Sequence, residues 1–216
     1  MPDPVVIAVD GPAASGKGTL ARRIAAELGY AYLDTGALYR AVALALLRAG
    51  RDPADGDSAA AAAESLDPAA IDPADPALRS EEVGNAAGLI AANARVRAAL
   101  VEAQRRFAAR PPDGEPGAVL DGRDIGTVIC PDADAKIFVD ASVEVRAGRR
   151  VKELQEKGVQ SISARVLQDM KERDERDRTR AVAPLAPAAD ASVIDTTNLS
   201  ADAAFAVAMS FIRSRN

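Results

Sequence analysis

Short apolar runs alternate with longer segments in which apolar residues recur every three or four positions. The runs are VVIAVD (5–10), AYLD (31–34), AVLDG (118–122), AKIFVDA (135–141) and SVIDTT (192–197). Their length and β-branched residues predict strands, whereas segments such as KGTLARRIAAELG and SADAAFAVAMSFIRS predict amphipathic helices. This alternation predicts an α/β fold in which helices cover a parallel sheet.

The alternation breaks between residues 51 and 110. Residues 51–77 are rich in Ala, Asp and Pro, which predicts a surface excursion with a short helix from Ser58 to Ser65. Apolar spacing from Glu81 to Arg110 predicts one long helical stretch, ended by PPDGEPG. A second long helix, dense in charge, is predicted from Ser161 to Arg180, with a hinge-like Gly158 before it.

Composition narrows the function classes. With 27 basic and 32 acidic residues the net charge is −5, which gives no overall attraction to nucleic acid or to an anionic membrane. The single Cys130 and the lack of histidine exclude an intramolecular disulfide, a plausible zinc cluster and histidine-based acid–base catalysis. The N-terminal apolar run is too short for a signal sequence or a membrane span, so we expect a cytoplasmic protein.

A glycine-rich turn ending in lysine, GPAASGKGT, spans Gly11 to Thr19 between the first strand and the first helix. In this context backbone N–H groups converge on phosphate oxygens, and Lys17 neutralises charge between the β- and γ-phosphates. The alternative is an accidental glycine-rich turn. The residue after the lysine is Gly18 rather than the usual Ser or Thr, a form common in nucleoside monophosphate kinases, and it argues against a GTPase-type switch.

Three further segments carry arginines suited to a second anion. LDTGALYRA places Thr35, Tyr39 and Arg40 where a strand meets a helix, and LDGRD places Asp121, Arg123 and Asp124 at the end of a buried strand. In KERDERDRTR the residues Arg173, Asp177 and Arg180 share one helical face, with Arg176 beside it. Taken singly, each segment also fits an exposed arginine, a solvated turn or a solvated charged helix.

Five segments together resemble the bacterial cytidylate kinase family of P-loop kinases: DGPAASGKGT, LDTGALYR, LDGRDIGTV, PDADAKIFVDAS and KERDERDRTRAVAPL. The resemblance runs from Val5 to about Asn198. It implies a three-layer α/β/α P-loop fold with a parallel five-stranded sheet, a reduced acceptor-binding insert and a short lid. It also implies one domain over 1–216: a core of 1–50, 111–150 and 181–216, an insert of about 51–110, and a lid of about 151–162 followed by the charged helix 161–180.

By this resemblance the protein transfers the γ-phosphate of ATP to CMP or dCMP, with Mg²⁺ as cofactor. The implied ATP-binding residues are Gly11, Pro12, Ala13, Ala14, Ser15, Gly16, Lys17, Gly18, Thr19, Arg149 and Asn198, with Thr19 as metal contact, direct or through water. The implied CMP-binding residues are Thr35, Tyr39, Arg40, Arg97, Arg123, Asp124, Arg173, Asp177 and Arg180. The implied catalytic residues are Lys17, Arg123, Arg176 and Arg180.

Within the acceptor set, Arg40 and Arg123 would bind the CMP phosphate, and Arg97 and Asp124 would contact the cytosine. Arg173, Asp177 and Arg180 would hold the sugar and, in part, the transferring phosphoryl group. Lys152 and Arg165 are further candidates for closing over ATP, the loop at Thr197 would contact adenine, and Asp34 merits testing as a metal contact. The implied partners are the small nucleotides alone, and the implied state is a monomer.

Two departures from the family pattern stand out. The insert is too short and too rich in proline for the family's small antiparallel sheet, so we expect an acceptor region that is mostly helical. Gly88 stands where the family commonly has a cytosine-contacting serine, which weakens the expected discrimination against UMP. The rival hypotheses are a kinase for UMP, AMP or shikimate, a regulatory ATP-binding switch, and a purely structural domain.

Overall fold

The computed structural model describes residues 3–67, 71, 75–156 and 158–215. Its centre is a sheet of five parallel strands in the order β2-β3-β1-β4-β5. The strands are β1 (Val5–Asp10), β2 (Ala31–Asp34), β3 (Gly117–Gly122), β4 (Ala135–Asp140) and β5 (Ser192–Asp195). All five predicted strands are present, and the predicted fold class is confirmed.

Within the described ranges, eight α-helices connect and cover the strands. They are α1 (Lys17–Leu28), α2 (Thr35–Arg48), α3 (Gly56–Glu64), α4 (Glu81–Ile90), α5 (Ala94–Ala109), α6 (Val143–Glu156), α7 (Ser163–Thr179) and α8 (Ala201–Arg213). A π-helical turn, Ile125–Ile129, follows β3. In the described part of the chain no helix is both long and apolar enough to cross a membrane.

Side chains alternate across the sheet and build an apolar core on each face. Ile7 and Val9 face α1 and α8, whereas Ala8 and Leu120 face α5 and the π-helical turn. The strands β1, β3 and β4 are buried almost throughout, as expected for parallel strands covered on both sides. The carboxyl ends of these strands therefore meet at one edge of the sheet, where ligands bind in such folds.

A second apolar cluster, the insert core, joins α2 to the helices of residues 56–109. It contains buried residues of α2, α3, α4 and α5, among them Leu46, Ala63, Ile90 and Leu100. None of the described residues between 51 and 110 is in a strand. The short helix predicted at Ser58 to Ser65 is α3, which begins two residues earlier and ends one residue earlier than predicted.

The prediction of one continuous helix from Glu81 to Arg110 is wrong, because two helices lie there. Helix α4 ends at Ile90, and α5 begins at Ala94. The cause is Asn93, whose side-chain oxygen accepts hydrogen bonds from the backbone N–H groups of Arg95 and Val96. An asparagine that caps a helix in this way starts a new helix, because it replaces the missing intrahelical partners.

The segment expected to form a lid, residues 151–162, comprises the last turns of α6 and the connection from α6 to α7. Helix α6 continues to Glu156, Gly158 has a φ of 72°, and α7 begins at Ser163. Lys157 lies outside the described residues. The division into core, insert and lid remains a proposal.

Candidate active site

The glycine-rich turn leaves β1 and enters α1 along a path that glycine makes possible. Gly11 has a φ of 152°, and a Cβ there would lie 2.1 Å from the carbonyl oxygen of Val139. Gly16, at the N-cap of α1, has a φ of 93°, and Ala14 has a φ of 59°. Glycine is therefore required at positions 11 and 16 by the backbone conformation, since residues with a side chain rarely adopt such φ angles.

Two arginines of α6 donate hydrogen bonds to backbone carbonyl oxygens of the glycine-rich turn. Arg146 Nη1 donates to the carbonyl oxygen of Ala13 at 3.3 Å, and Arg149 Nη1 donates to that of Ser15 at 3.2 Å. Thr196 Oγ1 also donates to the Ser15 carbonyl at 2.9 Å. The Ser15 Oγ is buried and has no hydrogen-bond partner among the described residues, so the turn holds a polar atom that is not yet satisfied.

Lys17 stands in an unusual electrostatic environment. Burial, then the charge of Arg123, lowers the pKa of its ammonium group to about 8, although Asp121 and Asp34 oppose this. A lysine surrounded in this way is stabilised by any added negative charge. The turn thus presents a cation together with free backbone N–H groups, a combination suited to a polyphosphate.

The position after Lys17 is glycine for a steric reason. A Cβ on Gly18 would lie 2.9 Å from Asp121 Oδ2. That carboxylate cannot easily move aside, because it accepts a hydrogen bond from the Tyr32 hydroxyl at 2.7 Å. Burial raises the pKa of Asp121. The unusual Gly18 thus follows from the carboxylate that β3 places against α1.

Asp10, at the end of β1, fixes the turn that follows β3. Its carboxylate accepts hydrogen bonds from the backbone N–H groups of Ile125 at 2.9 Å and Gly126 at 2.8 Å. Burial raises the pKa of Asp10 to about 6, although these hydrogen bonds oppose the shift. The sequence analysis did not identify this role, because no local pattern links residues 10 and 125.

The turn after β3 contributes Asp124 to a buried charge cluster. Arg97 Nη2, from α5, makes a short hydrogen bond to Asp124 Oδ2. Arg180 Nη2, at the end of α7, lies 3.5 Å from Asp124 Oδ1. The Tyr39 hydroxyl, from α2, accepts a hydrogen bond from Arg97 Nη1 at 3.5 Å. Four elements distant in sequence therefore meet at one carboxylate.

A second pair lies between this cluster and the glycine-rich turn. Arg123 Nε donates to Asp177 Oδ2 at 2.9 Å, and both side chains are partly buried. Burial, then the charge of Arg123, lowers the pKa of Arg173 to about 10. Because the charge of Arg123 acts on both Lys17 and Arg173, the two cations border the same space.

The strand-to-helix edge at Asp34 holds two more predicted residues. Thr35 is buried, and its hydroxyl donates to the carbonyl oxygen of Asp121 at 2.7 Å. Arg40 Nη1 donates to the carbonyl oxygen of Leu78 at 3.0 Å. A Cβ on Gly84 would lie 3.2 Å from Arg40 Nη1, so α4 approaches this guanidinium closely.

Several predicted residues are not part of these contacts. Arg149 lies against the glycine-rich turn, but the side chains of Thr19, Lys152, Arg165, Arg176 and Asn198 are exposed. Thr197 Oγ1 accepts a hydrogen bond from the Ser142 N–H at 2.9 Å. Gly88 is exposed on α4, with open space where a Cβ would stand.

Arg150 is a residue that the sequence analysis missed. Its Nη1 lies 2.8 Å from Glu153 Oε2. Burial is the main cause that lowers the pKa values of Arg40 and Arg173, and the charge of Arg150 adds to it in both cases. Arg150 therefore lies near the acceptor-side arginines. The sequence signal for it is the pair Arg149-Arg150, because Arg150 lies four positions after Arg146 and therefore on the same side of α6.

The sequence is similar to known proteins over nearly its whole length. The sequence profile of the family described as cytidylate kinase matches residues 7–214. The cytidylate kinase of Paramagnetospirillum magneticum is 61% identical over 97% of this chain and 98% of its own length. That of Rhodospirillum rubrum is 56% identical over 96% of this chain and 97% of its own.

Solved structures resemble the chain in fold. An uncharacterized protein from Eubacterium ventriosum has a TM-score of 0.56 at 14% identity, covering 97% of this chain and 99% of its own. A sugar kinase from Janibacter has a TM-score of 0.51 at 16% identity, covering 97% of this chain and 95% of its own. The sequence match, in contrast, is close and extends over nearly the whole length, so the chain belongs to the cytidylate kinase family.

Proposed function

We propose that this protein transfers the γ-phosphoryl group of ATP to CMP or dCMP, giving ADP and CDP or dCDP. The observation that carries the proposal is the buried Arg97–Asp124 pair in the turn that follows β3. A guanidinium and a carboxylate side by side offer both donors and acceptors, which suits the edge of a base rather than a simple anion. The family membership of the chain supports the same acceptor.

The donor side would bind ATP mainly through backbone. Gly11 to Thr19 would surround the phosphates, with Lys17 between the β- and γ-phosphates. The unsatisfied Ser15 Oγ fits a phosphate oxygen. Arg149 lies over Gly16 and bonds to Thr196, where it would cover the nucleotide, and the loop at Asn198 would contact the adenine through its backbone.

A divalent metal is expected with ATP in a kinase of this family, and we propose Mg²⁺. When bound, it neutralises charge on the β- and γ-phosphate oxygens. The described residues include no group of three or more Asp, Glu, His or Cys side chains that could hold a metal. Thr19, with Asp121 and Asp34 acting through water, would hold the ion against the phosphates. This donor set fits Mg²⁺, which keeps several of its waters.

The acceptor side would bind CMP through side chains. We assign Arg40 and Arg123 to the phosphate, since a guanidinium group can donate two parallel hydrogen bonds to phosphate oxygens. Arg97 and Asp124 would contact the cytosine edge, with Tyr39 and Thr35 lining the site. Asp177, Arg173 and Arg180 would hold the sugar and the transferring group.

Direct in-line transfer needs no covalent intermediate. The chain would contribute positioning, the exclusion of water, and positive charge on the equatorial phosphate oxygens from Lys17, Arg123 and Arg180. Arg176 is exposed, so we propose a smaller role for it, as a charge that approaches the donor when α6 and α7 close. Arg150, whose charge acts on both Arg40 and Arg173, would join these arginines.

The proposed partners are these nucleotides alone, without nucleic acid or membrane. The net charge of −5 supports this. We further propose a monomer and, because its substrates belong to nucleotide metabolism, the cytoplasm as its compartment.

The test is the initial rate of ADP formation from ATP and Mg²⁺ with CMP, dCMP, UMP, AMP or no acceptor. Strong stimulation by CMP and dCMP is expected. Equal use of UMP would mean that the open position at Gly88 has broadened the site, and Gly88→Ser would then be expected to restore selectivity. Slow hydrolysis that no acceptor changes would contradict the proposal and indicate an ATP-dependent switch.

A further inference from the structure

A buried ion pair connects the glycine-rich turn to α7. Arg146 is 2% exposed and Asp174 is 4% exposed. The guanidinium faces the carboxylate with two bonds, Nη1 to Oδ1 at 3.0 Å and Nη2 to Oδ2 at 2.5 Å. Arg146 Nε also donates to the carbonyl oxygen of Ala141 at 2.8 Å. Both side chains are thus enclosed by protein.

On the donor side, the pair holds the backbone of the glycine-rich turn. Arg146 donates to the carbonyl of Ala13, and Arg149, one turn along α6, donates to that of Ser15. These carbonyls flank Ala14, whose φ of 59° is unfavourable for a residue other than glycine. Helix α6 therefore fixes the turn on both sides of its least favourable residue.

On the acceptor side, the pair holds α7. Asp174 follows Arg173 directly and precedes Asp177 by three residues, and Asp177 binds Arg123. The apolar contact between α6 and α7 has Ala147, Val166 and Met170 as its buried members, with partly buried side chains of both helices packed against them. The ion pair adds a directional polar contact to this apolar one, and it fixes the register of α7 against α6.

We propose that Arg146 and Asp174 are positioning residues that couple the ATP-binding turn to the acceptor-binding helix. The inference rests on the proposed function, since it concerns the affinity of each nucleotide site for its ligand. Because one guanidinium bonds to both Ala13 and Asp174, a shift of the turn on ATP binding moves α7. By reciprocity, CMP bound to α7 then changes the affinity for ATP by the same factor.

The double variant Arg146→Met/Asp174→Leu separates positioning from mere stability. Apolar residues of similar volume commonly replace a buried ion pair without loss of stability. Neither replacement donates to the carbonyl of Ala13. A pair that only stabilises the fold is replaceable in this way, whereas a pair that positions the turn is not.

The experiment measures the Kd of CMP with and without a non-hydrolysable ATP analogue, together with kcat and both KM values. In the parent protein the analogue is expected to tighten CMP binding about fivefold or more. In the double variant this ratio is expected to fall to about one, and kcat is expected to fall about tenfold. Arg146→Lys, which keeps the charge but loses the two-armed geometry, is expected to show an intermediate ratio.

A matched control is Lys136→Met/Asp190→Leu, which removes a pair with a buried cation at the opposite end of β4. It is expected to keep the parent's ratio and kcat. If the apolar Arg146 variant keeps both as well, or if the parent itself shows no coupling, the inference is overturned. If the double variant does not fold, the same measurements on Asp174→Asn decide the question. If the parent protein does not phosphorylate CMP, the proposed function is refuted. That outcome needs no variant, so it is distinct from a failure of the coupling inference.

Discussion

The donor half and the acceptor half of the site are built from different materials. The donor half is backbone: a nine-residue turn with three positive φ angles, whose carbonyls are held by arginines from α6. The acceptor half is side chains brought from α2, α5, α7 and the turn after β3. The donor half is therefore formed by one continuous segment of the chain, whereas the acceptor half forms only when folding brings distant segments together.

The two halves also differ in charge before any ligand is present. Lys17 has no carboxylate within an ion-pair distance among the described residues, and burial lowers its pKa. Two of the acceptor arginines are already paired, Arg97 with Asp124 and Arg123 with Asp177. A phosphate that binds Arg123 must therefore compete with a carboxylate, whereas a phosphate that binds Lys17 meets no such competitor among the described residues.

The largest expected effect tests the donor half. Lys17→Met removes the lysine cation of the glycine-rich turn and is expected to lower kcat about a thousandfold, or about 4 kcal/mol of transition-state stabilisation. Steady-state kinetics at saturating ATP and CMP measure this loss. A fall of less than about tenfold would show that the backbone alone neutralises the donor phosphates.

Arg180→Ala tests the acceptor half by the same measure. Loss of this charge partner is expected to lower kcat about a hundredfold, about 3 kcal/mol. Arg213→Ala, on the last turn of α8, is the matched control and is expected to behave as the parent protein. Near-normal turnover of Arg180→Ala would mean that α7 contributes only a solvated surface.

The charge state of Lys17 predicts a dependence on pH. Its pKa is lowered to about 8, so the ammonium group of the free protein loses its proton as the pH rises through that value. The kcat/KM for ATP is therefore expected to fall by about tenfold per unit above pH 8, since this parameter reports the free enzyme. Lys17→Arg is expected to move this limb to higher pH, and a limb that stays in place belongs to another group.

The lowered pKa of Lys17 also affects stability. A lysine whose pKa is raised on folding stabilises the protein at low pH, whereas Lys17, with a lowered pKa, destabilises it there. Between about 8 and the ordinary value of 10.5, the unfolded chain binds more protons than the folded one. Stability therefore rises with pH across this window. Urea unfolding at two pH values within it is expected to show this rise, and Lys17→Met is expected to reduce it.

Gly18→Ser tests whether the backbone half tolerates the side chain common in other phosphate-binding loops. The new Cβ would meet Asp121, so we expect about tenfold lower kcat and a loss of about 1–2 kcal/mol of stability. Gly148→Ser, on the exposed face of α6, has open space and an ordinary helical backbone, and it is the control for the loss of a glycine. Full activity of Gly18→Ser would show that Asp121 moves aside at little cost.

The smallest expected effect belongs to Arg176→Ala. Its exposed side chain is expected to contribute only about threefold to kcat, through closure over the donor. A loss as large as that of Arg180→Ala, measured in the same assay, would place Arg176 fully in the reacting centre.

The contrast between the halves also explains what the sequence could predict. The turn was recognisable because Gly11, Gly16 and Lys17 lie at fixed spacing, and each spacing answers a local backbone need. The five strands followed from short β-branched runs. The break between α4 and α5 was missed because apolar spacing continues through Asn93, while its capping bonds depend on a single side chain.

Contacts between distant residues were out of reach for the same reason. Asp10 bonds to residues more than 100 positions away, and Arg146 meets a carboxylate 28 positions away. Neither residue has a local pattern that distinguishes it from an ordinary surface charge. Arg97, Asp124 and Arg180 could be assigned to one site only through the resemblance to a family, and the structure adds how they pair.

The insert core, which joins α2 to α3, α4 and α5, is separate from the two cores that flank the sheet. A unit with its own apolar interior can open without exposing the interior of its neighbour. Amide hydrogen exchange is therefore expected to divide the chain into two classes, with slow exchange in β1, β3 and β4 and faster exchange in α3 and α4. Substitutions that loosen Ala63 or Ile90 would then accelerate exchange in the insert and leave the sheet protected.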